Sequence, residues 1–341
     1  MPKARIKDVA KHARVSEATI TRVVNNNGYV AEETRKRVEK SIEVLEYIPN
    51  RMARALKNSR SGIIGNVHHL VVNDPFFSSI AMGLKNAAQE YDYQILPIYD
   101  DETGGFEERL LRIVTSGIIE GLILSGTVKR LPKTIRLILN KQIPVIMLER
   151  TYDISGVDKV LIDDFGGSSA AAEKFIALGH KNLGYIGKEL DAGSVEIDRF
   201  NGFFTTLKKN NIKLRESNII FTQEYLAEYG YEAIKQIFSK NKNRPTACFF
   251  GSDILACGAL QYLYETGIRI PDDISIIGNN NTLSALCSPP ITSVAIPHDE
   301  IGVTAISLFR ERQEQNRKTD KTVKLKLSIM DRGSVKDLCK S

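Results

Sequence analysis

Ile6-Lys7-Asp8-Val9-Ala10-Lys11-His12-Ala13-Arg14-Val15-Ser16-Glu17-Ala18-Thr19-Ile20-Thr21-Arg22-Val23-Val24-Asn25 carries two apolar stripes separated by a short break. Ile6, Val9, Ala10 and Ala13 recur at helical spacing, which predicts a short first helix with one apolar face. The break falls at Ala13-Arg14-Val15. Ser16 stands where an N-cap belongs, ahead of a second helix whose buried face is Ile20, Val23 and Val24. Two short helices joined by a tight turn make a helix-turn-helix. The second helix then presents Glu17, Ala18, Thr21, Arg22 and Asn25 outward, with Ser16 and Thr19 at its start. Side chains of these types reach base edges or phosphates from a major groove.

Working outward, Asn25-Asn26-Asn27-Gly28 reads as a turn, because Asn and Gly tolerate left-handed backbone. Glu32 to Leu45 predicts a third helix, with Val38, Ile42 and Leu45 on one face and Arg35, Lys36, Arg37 and Lys40 mostly outside. A generic three-helix bundle would show the same stripes, so charge decides between the two. Residues 1–60 hold 14 Lys+Arg against 7 Asp+Glu, whereas the remaining 281 hold 33 against 34. Essentially all the excess positive charge therefore sits in the first sixth of the chain. That asymmetry suits a head that meets a polyanion and a body with another task.

The run from Ile6 to Ala10, the run from Val15 to Asn25, and Tyr47-Ile48-Pro49-Asn50-Arg51-Met52-Ala53-Arg54-Ala55-Leu56 together resemble the LacI/GalR family of bacterial repressors. The resemblance implies a hinge in which two short helices of a dimer pack in the minor groove. There Asn50 joins the DNA contacts, Ala53 permits close approach and Leu56 wedges a base step. A helix of about two turns is marginal alone in water, so it needs such a partner to form. A plain linker is the alternative. Two departures stand out. Arg14 occupies the turn position where the family usually has Gly, which costs roughly 1 kcal/mol if the left-handed conformation persists. Glu17 and Ala18 fill the positions that vary operator preference, which implies an operator unlike the commonest family site.

From Ile63 the pattern becomes apolar β-like runs alternating with amphipathic helices. Strands are predicted at 63–67, 94–98, 121–124 and 144–148, with helices at 78–91, 106–116 and 132–140. A second series opens with a strand at 160–162, followed by strands at 183–186, 247–250 and 274–277. Its helices are predicted at 166–178, 195–210, 224–239 and 254–265. Such alternation means parallel sheets covered on both faces, here as two lobes, with ligands favouring the crevice at the strand carboxyl ends.

The resemblance continues through Asn73-Asp74-Pro75-Phe76-Phe77, Leu178-Gly179-His180-Lys181, Arg199 with Gly202-Phe203, Ser252-Asp253 and Pro289-Pro290-Ile291-Thr292-Ser293-Val294. It implies a periplasmic-binding-protein-like core with chain crossings near 161, 290 and 320. The implied division is a head over 1–48 and a hinge over 49–61. One lobe then takes 62–160 and 291–320, the other 161–290 and 321–334. Phe76 and Phe77 would wall the effector pocket or serve as plain core. Arg199 would anchor the effector or make an interlobe ion pair. Glu149 and Arg150 lie at another pocket position or form a surface pair. Ser252 replaces a usual Asn, Asp164 replaces another, and Asn280 stands where the family has an acid; Asp253 follows Ser252. With carboxylates turned to amides, a less typical or more anionic effector than a plain sugar is expected.

An enzyme finds little support: there is no GxGxxG, Walker A, HExxH or GxSxG. His68 and His69 neighbour each other on a strand and should point to opposite faces, which makes a poor metal pair. His180 after Gly179 reads as structural. Cys248, Cys257, Cys287 and Cys339 lack CxxC spacing and read as free thiols. No stretch approaches about 20 uninterrupted apolar residues, so no membrane span is expected. A polar opening without an apolar signal core points to the cytoplasm and away from a periplasmic binding protein. A constitutive architectural DNA-binding protein would not need so large a body. The expectation is a homodimeric regulator without a cofactor, binding palindromic operator DNA. A sugar or sugar derivative between its lobes would control it, more in the manner of a released repressor than of a corepressor.

Overall fold

The computed structural model describes residues 4–24, 28–47, 61–69, 75–100, 104–126, 131–149, 154–190, 195–240, 243–315 and 317–340. The chain divides into two compact units, Met1–Gly62 and Ile63–Ser341.

In the first unit, helices α1 (Ile6–Ala13), α2 (Glu17–Val24) and α3 (Glu32–Val44) enclose Val9, Ala10, Ala13, Ile20, Val23 and Val38. These are the stripes read from the sequence. Arg14 ends α1 in the left-handed region, at φ 56° and ψ 47°, so the cost attached to a non-glycine there applies. That conformation lets the Val15 amide donate to the Ala10 carbonyl at 3.0 Å. Arg37 does more than face solvent: its Nε donates to the Ala13 carbonyl at 2.9 Å, capping α1 from α3. Ser41 donates its hydroxyl proton to the Arg37 carbonyl at 2.7 Å. His12 Nδ1, 2.9 Å from Ser41 Oγ, must therefore carry the proton of that contact.

The second unit holds β1 (Ile63–His69), α4 (Phe76–Gln89), β2 (Gln94–Asp100), α5 (Phe106–Thr115), β3 (Gly121–Ser125), α6 (Pro132–Asn140), β4 (Val145–Leu148) and β5 (Asp158–Ile162). Then come α7 (Asp164–Ala177), β6 (Leu183–Lys188), α8 (Val195–Lys209), β7 (Ile219–Thr222), α9 (Ala227–Lys240), β8 (Ala247–Phe250), α10 (Asp253–Glu265) and β9 (Ser275–Asn280). The chain closes with β10 (Thr292–Ala295), α11 (His298–Glu314), β11 (Thr322–Leu325) and β12 (Ser328–Met330).

Two six-stranded sheets result, ordered β11-β5-β4-β3-β1-β2 and β12-β10-β9-β8-β6-β7. All pairings are parallel except β12 on β10. Burial on both faces explains the continuous apolar runs. In β4, Val145 and Met147 join the cluster under α5 and α6, while Ile146 and Leu148 join the one under α4 and α11. In each sheet the strand order reverses once, between β1 and β3 and between β6 and β8. Crevices at the carboxyl ends of such switch points are where α/β sheets bind ligands.

Three boundaries differ from expectation. The strand at 158–162 closes the first sheet instead of opening the second. The second crossing lies past Ala295, not near 290, because β10 pairs with β9: Ala295 stands opposite Asn280. The third lies between Leu325 and Ser328, not near 320, because β11 extends the first sheet on β5 and β12 returns to the second.

Candidate functional site

On the head, Ser16, Glu17, Ala18 and Arg22 are exposed, and Thr19 and Thr21 are half-buried. Ser16 Oγ accepts from the Thr19 amide at 3.2 Å, fulfilling the N-cap role, and sits 3.0 Å from Thr19 Oγ1. Thr21 Oγ1 donates to the Glu17 carbonyl at 2.9 Å, so toward an outside group it offers lone pairs only. Glu17, Ala18 and Arg22 thus form the free outward edge of α2. Asn25, Asn50, Ala53 and Leu56 lie outside the described residues, as does Arg150.

In the second lobe, Arg199 on α8 is buried and central. Its Nε donates to Asp164 Oδ1 at 2.7 Å, and its Nη1 donates to the Gly251 carbonyl at 3.0 Å and the Tyr225 hydroxyl at 3.3 Å. Among the described residues Nη2 has no protein partner. The ion pair lies inside one lobe, joining α8 to the start of α7, and does not bridge the lobes. Burial opposes the Arg199 charge, but Asp164 and its neighbours hold the guanidinium protonated, its pKa above the ordinary value. Burial also pushes the Asp164 carboxyl up, opposed by Arg199, and at 2.7 Å we assign the ionised pair. Arg199 is therefore already neutralised, and an anion would find no uncompensated cation there. This runs against the expected anionic effector.

The approach depends on Gly202, one turn after Arg199. A β-carbon there would collide with the Phe165 carbonyl oxygen. Glycine lets α8 lie against the first turn of α7, where Asp164 sits, and this is the physical content of the Arg199–Gly202 spacing.

Ser252 and Asn280 are buried at the carboxyl ends of β8 and β9. Asn279 Nδ2 donates to Asn280 Oδ1 at 2.8 Å, and Asn280 Nδ2 makes a long 3.5 Å contact to Ser252 Oγ. Asn280 takes φ 95° and Glu149, half-buried just after β4, takes φ 67°. Strained backbone of this kind concentrates at functional sites. Asp253 behaves differently from a ligand acceptor. Its Oδ2 accepts the amides of Thr282, Leu283 and Ser284 at 2.8, 3.2 and 3.2 Å. Its Oδ1 accepts from Ser293 Oγ at 2.7 Å. Asp253 thus shapes the loop beside Asn280.

The first lobe supplies an aromatic wall. Phe76 belongs to the core under α4, and Phe77 packs against it with ring centres 5.3 Å apart. His68, at the end of β1, lies 6.3 Å from Phe77 in a stacked orientation and 4.8 Å edge-on from Tyr99. The His298 ring meets Phe76 edge-on at 5.6 Å. The two walls adjoin. Ala295 pairs with Asn280, and only Ile296 and Pro297, three Cα steps of at most roughly 10 Å, separate it from His298 against Phe76. Within the first sheet the Glu149 amide donates to the Val160 carbonyl of β5 at 2.8 Å, and four residues further along the chain Asp164 opens α7. His68, Tyr99, Tyr225, Gly251 and His298 were not predicted as site residues. Their residue types carry no local signal, because only tertiary folding brings them together. His180 is structural as expected, its ring nitrogens meeting Thr246 Oγ1 at 2.9 Å and the Lys336 carbonyl at 3.1 Å.

No helix among the described residues is long and apolar enough to cross a membrane, and none of their His, Cys, Asp and Glu groups is arranged to hold a metal.

Comparison with known proteins fits both units. A family model of bacterial regulatory proteins, lacI family, matches residues 5–50. A model of a periplasmic binding protein-like domain matches residues 172–335. The HTH-type transcriptional regulator DegA of Bacillus subtilis (strain 168) is 32% identical over 341 residues, which cover 98% of this chain and 99% of that one. The HTH-type transcriptional repressor PurR of Yersinia pestis (strain Pestoides F) is 31% identical, with 98% and 97% covered. The structure of the Lac repressor dimer bound to operator and the anti-inducer ONPF superposes with a TM-score of 0.79 at 24% identity, covering 98% of this chain and 99% of that one. A LacI family regulator from Enterococcus faecium with bound ribose gives 0.71 at 25% identity, covering 81% and 99%. With a helix-turn-helix head, a two-lobed α/β core and full-length relatives that are regulators, the chain belongs to the LacI family of bacterial transcriptional regulators, DNA-binding proteins and not enzymes.

Proposed function

We propose that this regulator is a repressor that binds an inverted-repeat operator as a homodimer and is released by a small polar metabolite, a sugar or sugar derivative, seated between its lobes. The observation that carries the effector half is Arg199 Nη2, a donor without a partner among the described residues, above a compensated ion pair. On this reading the buried Ser252 and Asn280 of the same lobe line the effector site with it, and Phe77, His68 and Tyr99 of the other lobe supply its aromatic side. Apolar faces with a few placed donors suit a ring that is hydrophobic on its faces and hydroxylated at its edge. The ribose bound to the Enterococcus relative and the operator bound to the Lac repressor are consistent with both halves.

The dimer draws support from large apolar side chains left exposed on both lobes, Met82 (53%) and Val303 (55%) on one, Tyr264 (87%) and Leu286 (83%) on the other. On DNA, Lys and Arg of the head supply salt-dependent phosphate affinity, while Glu17, Ala18 and Arg22 shape base choice. Effector binding reorients the lobes, changes the spacing of the two hinges and so couples the two sites.

Selection of bound sequences from random duplex DNA, repeated with and without pooled sugars, sugar acids and phosphosugars, tests the whole scheme. An inverted repeat should emerge and be lost with a neutral sugar. Calorimetry should show neutral ligands binding more tightly than their phosphates. Absence of any inverted-repeat preference, or tightest binding by the anions, would overturn the corresponding half.

A further inference from the structure

The loop from Asn281 to Ser288 is fastened to α10 at two points. At its start Asp253 gathers the amides of Thr282, Leu283 and Ser284. One helical turn along α10 from Asp253, Cys257 Sγ lies 3.0 Å from Cys287 Sγ near the loop's end. Both thiols are free and half-buried, whereas Cys248 is buried and Cys339 is exposed. Arg332 braces the same loop: Nη2 donates to Asn281 Oδ1 at 2.6 Å, and Nη1 donates to Ser284 Oγ at 3.3 Å and the Ile291 carbonyl at 3.0 Å. Neither sulfur of the pair is fully enclosed by the chain's own fold, unlike that of Cys248.

The two sulfurs are not equivalent. A hydrogen bond from the Cys257 thiol, helped by the Arg332 charge, pulls Cys287 below the ordinary thiol pKa against burial and the nearby Asp253 carboxylate. The same contact pushes Cys257 up. Cys287, whose thiol points at the Leu283 carbonyl at 3.5 Å, is thus the more acidic of the two sulfurs, the arrangement of a nucleophile with Cys257 as its resolving partner.

We propose that Cys257 and Cys287 form a peroxide-oxidisable dithiol that closes to a disulfide within one chain and pins the 281–288 loop, with Asn280 at its root, onto α10. The Cys287 thiolate attacks one oxygen of hydrogen peroxide; the O–O bond breaks, Cys287 becomes a sulfenic acid and hydroxide leaves. That hydroxide takes the Cys257 proton and becomes water. The Cys257 sulfur then displaces the sulfenic hydroxyl; the S–S bond forms as the S–O bond breaks. The departing hydroxide recovers the proton that Cys287 had released. Two thiols and one peroxide give one disulfide and two waters. This chemistry stands apart from the effector proposal and does not need it.

The test uses the full reduced chain, treated with graded hydrogen peroxide, alkylated and mapped by mass spectrometry. A Cys257–Cys287 peptide pair should appear at lower peroxide than Cys339 oxidation, in a species of single-chain mass, and dithiothreitol should reverse it. Cys257→Ser should stop at a sulfenic acid on Cys287 that dimedone traps. Hydrogen exchange on the unmutated protein should show the amides of residues 282–287 slowed on the order of ten-fold in the oxidised form. Both thiols remaining alkylatable while Cys339 oxidises, a cross-link between chains, or unchanged exchange in the oxidised form would each overturn the proposal.

Discussion

Arg199 and Arg14 show how much a single residue decides here, and each supports a prediction. Arg199→Met would leave Asp164 buried without its cation. Breaking a buried pair from one side costs about 3–5 kcal/mol, so the urea midpoint of the body should fall steeply. Effector response should vanish while the head keeps its DNA affinity; a full response in the variant would remove Arg199 from the cleft. Arg14 holds φ 56° at the end of α1. Arg14→Gly should therefore stabilise the head by roughly 1 kcal/mol, read as slower hydrogen exchange in α1 and α2, with the preferred operator unchanged. These two residues also mark what could be read in advance. Arg14 was legible because a turn demands its conformation within a few positions. The state of Arg199 was not, because Asp164 comes from 35 residues earlier and Gly251 from 52 later. Asp253 misled for a related reason: a carboxylate looks like a ligand acceptor until the loop that uses it is folded.

Among elements, the long helices and central strands were legible because their apolar residues repeat over several turns or fill a sheet from both faces. The edge strands β7, β11 and β12 are three or four residues long, too short for a pattern to separate them from loop. Helix α11 did carry a stripe, Ile301, Ala305, Leu308 and Phe309, but it lies past the family landmarks that end at Val294. Packing between elements gives a sharper test. Gly202→Ala should push α8 off the first turn of α7 and cost about 1–3 kcal/mol. Effector affinity should fall with it, because Arg199 moves with the helix; an unchanged calorimetric titration would count against that coupling. The tail offers a pH test through His180, which bonds to the Lys336 carbonyl. Burial lowers its folded-state pKa beneath the ordinary 6.5, and His298 shifts the same way for the same reason. The unfolded chain then binds protons first as pH drops. Their contribution is present above about pH 6.5 and fades as pH falls through the folded values. The urea midpoint should decline across that window, and less so in a His180→Gln variant, which starts less stable.

For the whole molecule, the division of labour predicts that a chain lacking residues 1–61 still folds and binds effector but has lost operator affinity; retained affinity would refute the partition. The boundary between the two units falls between Gly62 and Ile63, and the excess positive charge sits almost entirely on the head side. The body is not divided so simply, because its chain passes from one sheet to the other three times, the last pass falling between Leu325 and Ser328. That feature orders events during synthesis. The first sheet waits for β11 and the second for β10 and β12, so the first lacks a strand until the ribosome has passed residue 325 and the second until it has passed residue 330. The head, by contrast, has all three helices by residue 44 and can fold as it emerges. Each nascent chain therefore carries a finished DNA reader well before it carries a finished sensor, and a transcript broken in between would yield a reader with nothing to govern it.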